Sequence, residues 1–284
     1  MVYFSLGIFL LLWGMKDRFA IYIFSSSQPH VFQTKISEAL VPISGALLNS
    51  YDSTTQGWRS DPALFSTADG VLKGCLNMSP AWFQMGHTGG DHLPEVSATL
   101  KSVNSSGGRA WLARNAETNA LLAAAMAIMH PDSYQAGMAT MRALPYHANA
   151  NGVEEIAEVV EEWNSIFNAV SVMTNRQSPY HRDLNLPAES FDLLVTIGDY
   201  KNGWMVIPTL SKRFDYCPGT VMAFSGHLLR HGVNQVQGNR GCLVYYMREP
   251  VMKWVDVQPP RFMHYEALDA IGLSMDSHRV YPPY

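Results

Sequence analysis

The chain's 284 residues suffice for one large domain with a sizeable core but not for two full-sized ones, and a composition 47% hydrophobic and 15% charged argues against a disordered tail. A formal charge of -4 removes any overall basic field that would announce a nucleic-acid partner, while leaving room for a local basic groove. The cysteines Cys75, Cys217 and Cys242 form no CxxC pair, which argues against a disulfide framework and the common structural zinc sites, and fits a reducing compartment.

Residues 1–14 are almost wholly apolar, and Lys16-Asp17-Arg18 separates them from a second apolar run at 19–24. The first run is shorter than the ~20 residues of a membrane span. It has no basic leading segment and no small-residue cleavage site behind it. It therefore reads as core strand or helix material, or as an extension from a doubtful start, with membrane association or targeting as the minor alternative. Residues 25–108 are rich in Gly, Ser, Thr and Asp and read as loops and short strands. An Ala-rich stretch at 109–129, punctuated by Trp111, Leu112, Leu121, Leu122, Met126 and Met129, predicts a helix. His130-Pro131-Asp132 breaks it, and 132–144 predicts a second helix capped by Asp or Ser. A third, acidic on its outer face, is expected over 154–163.

Beyond residue 167 the texture changes to short strands, expected at 169–173, 191–197, 204–207, 220–224 and 243–247. Turn signals fall at Asn202-Gly203, Pro218-Gly219 and Gly238-Asn239. Short strands at this spacing suggest a sandwich or barrel of jelly-roll type. Helices first and strands afterwards is an α+β arrangement, with N-terminal helices bracing one sheet. The expected organisation is an irregular N-terminal region over 1–107, a core over 108–250 and a C-terminal extension over 251–284.

The chemistry concentrates in Pro179-Tyr180-His181-Arg182-Asp183-Leu184. Residues two apart on an extended backbone share a face, so His181 and Asp183 can reach one metal ion together. A second imidazole from a distant strand would complete a two-His, one-carboxylate facial set, which suits iron(II) because the opposite face of the octahedron stays free for cosubstrate and oxygen. That imidazole is expected from His231 in Leu229-Arg230-His231-Gly232-Val233, 48 positions after Asp183. Arg240 follows nine residues later, placed by a tight turn at Gln237-Gly238-Asn239 and a hairpin near the metal. Its always-charged fork suits the distal carboxylate of 2-oxoglutarate.

Competing patterns are weaker. His130-Pro131-Asp132 is also H-x-D but sits at a helix break. His264-Tyr265-Glu266 has no strand pair left downstream. His87, Asp91 and His92 lie in a glycine-rich loop that either lines a substrate mouth or is simply solvated. His227 rivals His231 as third ligand, at longer spacing to Arg240. For His181 and Asp183 the bland alternative is a surface turn in which Asp183 caps backbone donors.

Taken together, the chain resembles the TET/JBP branch of the 2-oxoglutarate oxygenases, in particular its compact fungal members. The resemblance rests on residues 167–176 leading to His181-Arg182-Asp183, then on 192–198, Pro218-Gly219-Thr220-Val221, 229–233 and Tyr245-Tyr246-Met247-Arg248-Glu249. It is close over residues 150–250, loose over 108–149 and poor before that. It implies a double-stranded β-helix, with His181, Asp183 and His231 on iron(II) and Arg240 on 2-oxoglutarate, and with oxygen as co-oxidant. It implies oxidation of the methyl of 5-methylcytosine in DNA, stepwise through hydroxymethyl, formyl and carboxyl products, or of thymine in the J-base branch. Arg176 matches a family arginine and is placed near the site. Asn175 beside it is either a site residue or a partner for backbone groups. Phosphate contacts would fall to local basic residues such as Arg109, Arg114, Lys212 or Arg213, and nuclear residence would follow from the substrate. The open alternatives are a 2-oxoglutarate oxygenase of N6-methyladenine, a small molecule or a protein, and an inactive binding module of mobile-element descent.

Overall fold

In the computed structural model the described residues are 2–4, 8–10, 13–15, 18–24, 30–51, 54–84, 86–87, 92–101 and 106–264. The elements run β1 (Val2–Phe4), β2 (Ile8–Leu10), β3 (Trp13–Met15), β4 (Arg18–Phe24), α1 (His30–Ala39), α2 (Ser44–Ser50), β5 (Gly74–Met78), α3 (Gly108–Met129), α4 (Pro131–Ala150) and α5 (Glu154–Glu162). They continue as β6 (Ala169–Thr174), β7 (Ser178–His181), β8 (Asp192–Lys201), β9 (Trp204–Ile207), β10 (Lys212–Asp215), β11 (Val221–Phe224), β12 (His231–Val233), β13 (Gln237–Tyr246) and α6 (Glu249–Trp254). This is an α+β fold with antiparallel sheets.

A large sheet orders its strands β1-β2-β4-β11-β8-β13-β6-β5, with β3 alongside β4, and a small sheet orders them β10-β9-β12-β7. From β6 onward the chain passes back and forth between the two, and only β9 and β10 are consecutive strands that neighbour each other. Strands β6, β8, β11 and β13 of the large sheet are largely apolar on both faces, and period-2 alternation sorts their side chains. Val195, Ile197, Val221, Ala223, Leu243 and Tyr245 join the helices in the main core, whereas Leu194, Met222, Phe224 and Cys242 join Met205, Ile207, Leu229 and Val233 between the sheets.

The helices expected at 109–129 and 154–163 are present as α3 and α5. In α3 the apolar positions divide: Trp111, Leu112, Leu122, Met126 and Met129 are buried, while Leu121 is 49% exposed because it lies one helical step off that stripe. The second helix starts with Pro131 at its first position and runs on through Pro145 to Ala150. Its cap is neither Asp nor Ser but the His130 ring, which accepts from the Ser133 backbone N–H at 3.3 Å.

Two expectations are corrected. Residues 25–108 are not only loops and short strands: α1 and α2 lie within them, with Ile36, Ile43 and Leu47 fully buried. Gln237-Gly238-Asn239 is not a turn. These residues continue β13, pairing with Lys201, Tyr200 and Asp199 of β8, and Gly238 has φ 119°, where an added Cβ would lie 2.3 Å from the Asp199 carbonyl oxygen. Because β12 and β13 belong to different sheets, Arg240 reaches its place through the β8 ladder rather than through a hairpin.

The cysteines are free thiols, with Cys75 and Cys242 buried and Cys217 exposed. Among the described residues no helix is long and apolar enough to cross a membrane. Within the apolar run at 1–14 the described backbone is that of β1, β2 and the start of β3.

Candidate metal centre

Strand β7 forms one edge of the small sheet and pairs antiparallel with β12, in a register that sets His181 directly opposite His231. Their ring centroids are 4.3 Å apart. Asp183 follows β7 by two residues and is pinned by its own backbone N–H, which donates to the Gly226 carbonyl at 3.0 Å. Its Oδ2 then lies 3.6 Å from Nε2 of His181 and 3.7 Å from Nε2 of His231. One ligand atom from each of the three lies within 4.8 Å of the others, and among the described residues no other group of three His, Cys, Asp or Glu side chains does so.

The rings are aimed by their other nitrogens. Nδ1 of His181 meets the Pro179 carbonyl at 2.8 Å, and Nδ1 of His231 meets the Leu229 carbonyl at 2.9 Å. A carbonyl can only accept, so each Nδ1 must carry the proton, and in the neutral ring Nε2 presents a lone pair. Burial lowers the pKa of both imidazoles, and the adjacent His181 lowers that of His231 further, so both rings are neutral near pH 7. Two neutral Nε2 donors and one carboxylate oxygen on a shared focus are a donor set that suits a divalent iron ion.

Glycine at 226 makes the close packing beneath the carboxylate feasible. A Cβ there would lie 2.3 Å from Asp192 Oδ2 and 3.1 Å from Asp183 Oδ2. Asp192 accepts from the Gly226 backbone N–H at 3.0 Å, and burial together with the Asp183 charge raises its pKa well above the usual carboxylate range.

Arg240 points between the sheets and is 3% exposed. Its Nη2 donates to the Arg176 carbonyl at 2.7 Å, while its Nη1 is buried without a partner. A buried guanidinium N–H without an acceptor costs about 1–3 kcal/mol or more, so Nη1 is a ready donor for an anion. Arg176 is 4% exposed and leaves Nε unpartnered; its Nη1 donates to the Arg59 carbonyl at 2.8 Å and contacts Cys75 Sγ at 3.3 Å. Asn175 adopts φ 53° and uses its side chain on Leu72 O, Asn239 Oδ1 and the Arg240 backbone N–H, so its contacts are those of a residue that sets the Arg240 backbone.

The other sequence candidates lie elsewhere. His130 is fully buried, its Nε2 2.9 Å from the Glu189 carbonyl, and Asp132 accepts from Arg261 at 2.8 Å. His227 turns its Nδ1 to the Leu186 carbonyl at 2.7 Å. His87 and His92 stack with centroids 4.4 Å apart on exposed positions, and Asp91 lies outside the described residues. His264 is described, whereas Tyr265 and Glu266 lie outside the described residues. Sequence reasoning missed Trp58, Arg59 and Asp192. Trp58 packs on the His181 ring at 4.9 Å, and Arg59 Nη2 donates to Asp183 Oδ1 at 3.1 Å. No motif announces that pair, which lies more than a hundred residues before the metal segment.

Comparison with known proteins places this geometry. The TET/JBP family, described as the oxygenase domain of the 2OGFeDO superfamily, matches residues 96–249. The chain belongs to the TET/JBP family. No curated protein matches it. Among solved structures, NgTET1 in complex with 5mC DNA is 14% identical at a TM-score of 0.52, over 90% of this chain and 81% of that one. At that identity it shows the fold alone. A 2OG-Fe(II) oxygenase-family oxidoreductase from Burkholderia pseudomallei (22% identical, TM-score 0.25) covers 28% of this chain and 42% of its own. The viral collagen prolyl hydroxylase vCPH from Paramecium Bursaria Chlorella virus-1 (16%, TM-score 0.24) covers 28% and 57%. As a TET/JBP oxygenase, the protein is a dioxygenase that uses iron(II), 2-oxoglutarate and oxygen. The two neutral imidazoles, the carboxylate and the unpartnered Arg240 Nη1 fit that metal and that dianion.

Proposed function

We propose that this TET/JBP oxygenase oxidises the methyl group of 5-methylcytosine in DNA to 5-hydroxymethylcytosine and onward to formyl and carboxyl products. The observation that carries its iron chemistry is the convergence of two Nε2 atoms and one Asp183 oxygen, supplied by a register that pairs His181 with His231, and the DNA substrate is taken from the family. In this reading His181, Asp183 and His231 hold iron(II), and Arg240 takes the far carboxylate of 2-oxoglutarate through its unpartnered Nη1. Arg176 stands beside it with a second buried N–H to offer. Bound iron with oxygen and 2-oxoglutarate supplies the oxidation of a methyl C–H bond, with the cosubstrate leaving as succinate and carbon dioxide.

The chain's own residues set the conditions. Carbonyl bonds at both Nδ1 atoms hold the imidazoles in the donor tautomer, and the Gly226 bond holds Asp183 in line. Phe224, 4.9 Å from the His231 ring and fully buried, keeps the inner side of the site dry. A methyl group inside a duplex is out of reach, so the target nucleotide must flip out, at a cost of a few kcal/mol. For the phosphates, Arg109 is held by Glu162 at 2.6 Å and Arg114 donates to the Glu38 carbonyl at 3.3 Å. Arg213, exposed on β10 next to Lys212, stands over Trp204 at 4.0 Å and is the better-placed candidate. Kinship and the DNA-bound state of NgTET1 support a DNA partner, and nuclear residence would follow.

The alternation of strands between the sheets supports a double-stranded β-helix for the core at 108–250. The N-terminal region over 1–107 would add β4 and β5 to its large sheet, and the segment from 251 would extend it. The decisive experiment is mass spectrometry of methylated DNA incubated with protein, iron(II), 2-oxoglutarate and ascorbate. A gain of 5-hydroxymethylcytosine that His181→Ala abolishes is expected; succinate release without oxidised cytosine would sink the substrate assignment and leave the reaction class standing.

A further inference from the structure

The segment at residues 57–60 lies outside the family match at 96–249, yet it wraps two of the three ligand side chains. Gly57 turns it with φ 64°, and the next two residues face the site. The indole of Trp58 packs on the His181 ring at 4.9 Å. Arg59 reaches Asp183 with Nη2, and its own carbonyl accepts from Nη1 of the buried Arg176 at 2.8 Å. The segment is thus tied to the floor of the site at both the main chain and the side chain. Ser60 behind it is 1% exposed.

The two oxygens of Asp183 are not equivalent. Oδ2 faces both imidazoles, at 3.6 and 3.7 Å, and Oδ1 is the acceptor for Arg59 at 3.1 Å. A carboxylate can grip a metal with one oxygen or with two. On an octahedral ion the two imidazoles and one oxygen leave three positions, enough for a chelating cosubstrate and oxygen. A second oxygen would consume one of them. We infer that Arg59 is a positioning residue that engages Asp183 Oδ1 and restricts the carboxylate to a single-oxygen grip on iron, keeping the third position open.

This inference rests on the proposed ligand assignment, and the electrostatics make its signature distinctive. Arg59 carries a positive charge close to a divalent cation, so removing it relieves repulsion and does not by itself weaken metal binding. What suffers is the cosubstrate, which meets a site with one position taken. Loss of an ordinary supporting residue would weaken the metal itself.

The test uses cobalt(II) as a spectroscopic stand-in for iron, on the full chain, with wild type, Arg59→Ala, Arg59→Lys and His181→Ala. Wild type should bind one cobalt(II), and His181→Ala should not; failure there overturns the ligand assignment, independently of Arg59. With the fold verified by circular dichroism, Arg59→Ala should bind cobalt(II) at least as tightly as wild type and should shift its visible absorption without any cosubstrate present. Its affinity for 2-oxoglutarate, titrated into the cobalt(II) form, should fall about tenfold or more. Arg59→Lys, which still offers a cationic donor, should recover most of the spectrum. An Arg59→Ala spectrum and 2-oxoglutarate affinity equal to wild type would overturn the inference, and so would a folded Arg59→Ala that loses cobalt(II).

Discussion

The two sheets differ in what their faces meet and therefore in what they do. The central strands β6, β8, β11 and β13 of the large sheet are buried on both sides: Leu243, Val195 and Val172 are fully buried against the helices, and Met222 and Phe224 are fully buried toward the small sheet. The small sheet has strands of three or four residues, an edge strand that carries His181, and an outward side where Tyr180 is 51% exposed. The main core lies against the first, and the second carries the two histidines of the candidate metal centre. A site on a short sheet with an exposed outer side stays open to cosubstrate and substrate, while its inner side is anchored on the large sheet through Met205, Ile207 and Val233.

Substitutions can break that division of labour. The largest effect is expected for His231→Ala, which should abolish metal binding and turnover while leaving the metal-free melting temperature within a few degrees of wild type; a collapse of the fold would show that the small sheet is structural after all. Arg240→Ala should raise the KM for 2-oxoglutarate by ~30-fold or more, the equivalent of about 2–5 kcal/mol for truncating one partner of a buried charged pair. Steady-state kinetics at fixed DNA would measure it, and an unchanged KM would remove Arg240 from the cosubstrate site. Leu243→Ala should cost about 2–5 kcal/mol of stability in denaturant titration while the folded fraction keeps its metal affinity, since the residue faces the helices rather than the site. The smallest effect is expected for Arg213→Ala on exposed β10, within about 0.5 kcal/mol in stability. Its consequence belongs to DNA binding, read as a shallower salt dependence of the affinity for duplex DNA.

The metal segment was legible because two rules act over short distances. Period-2 geometry places His181 and Asp183 on one side of an extended chain, and the β-branched and apolar runs around them announce strands, so β9 was found residue for residue and β6 and β11 within one residue. The caps and turns were less legible. His130 caps α4 although Asp132 and Ser133 stood closer to the expected pattern, because Pro131 takes the first helical position and puts His130 at the boundary. Gly238-Asn239 carries a strong turn signal, yet pairing with β8 keeps the chain extended. Local propensity yields there to a ladder whose partner lies some forty residues away.

By itself, the sequence determined the α+β class, the helices α3 to α5, the strands β6, β8, β9, β11 and β13, and the identity of the residues whose spacing could converge on one ion. Only the tertiary structure decided which partner each would meet. The cross-strand register set His181 opposite His231, the β8 ladder carried Arg240 inward, and the turn at Gly57 brought Trp58 and Arg59 to the ligands from more than a hundred residues away. The physical reason is that periodicity encodes which way a side chain points within its own element, whereas the neighbour it meets is selected by packing whole sheets and segments together, a sum over many weak contacts that no short stretch of chain contains.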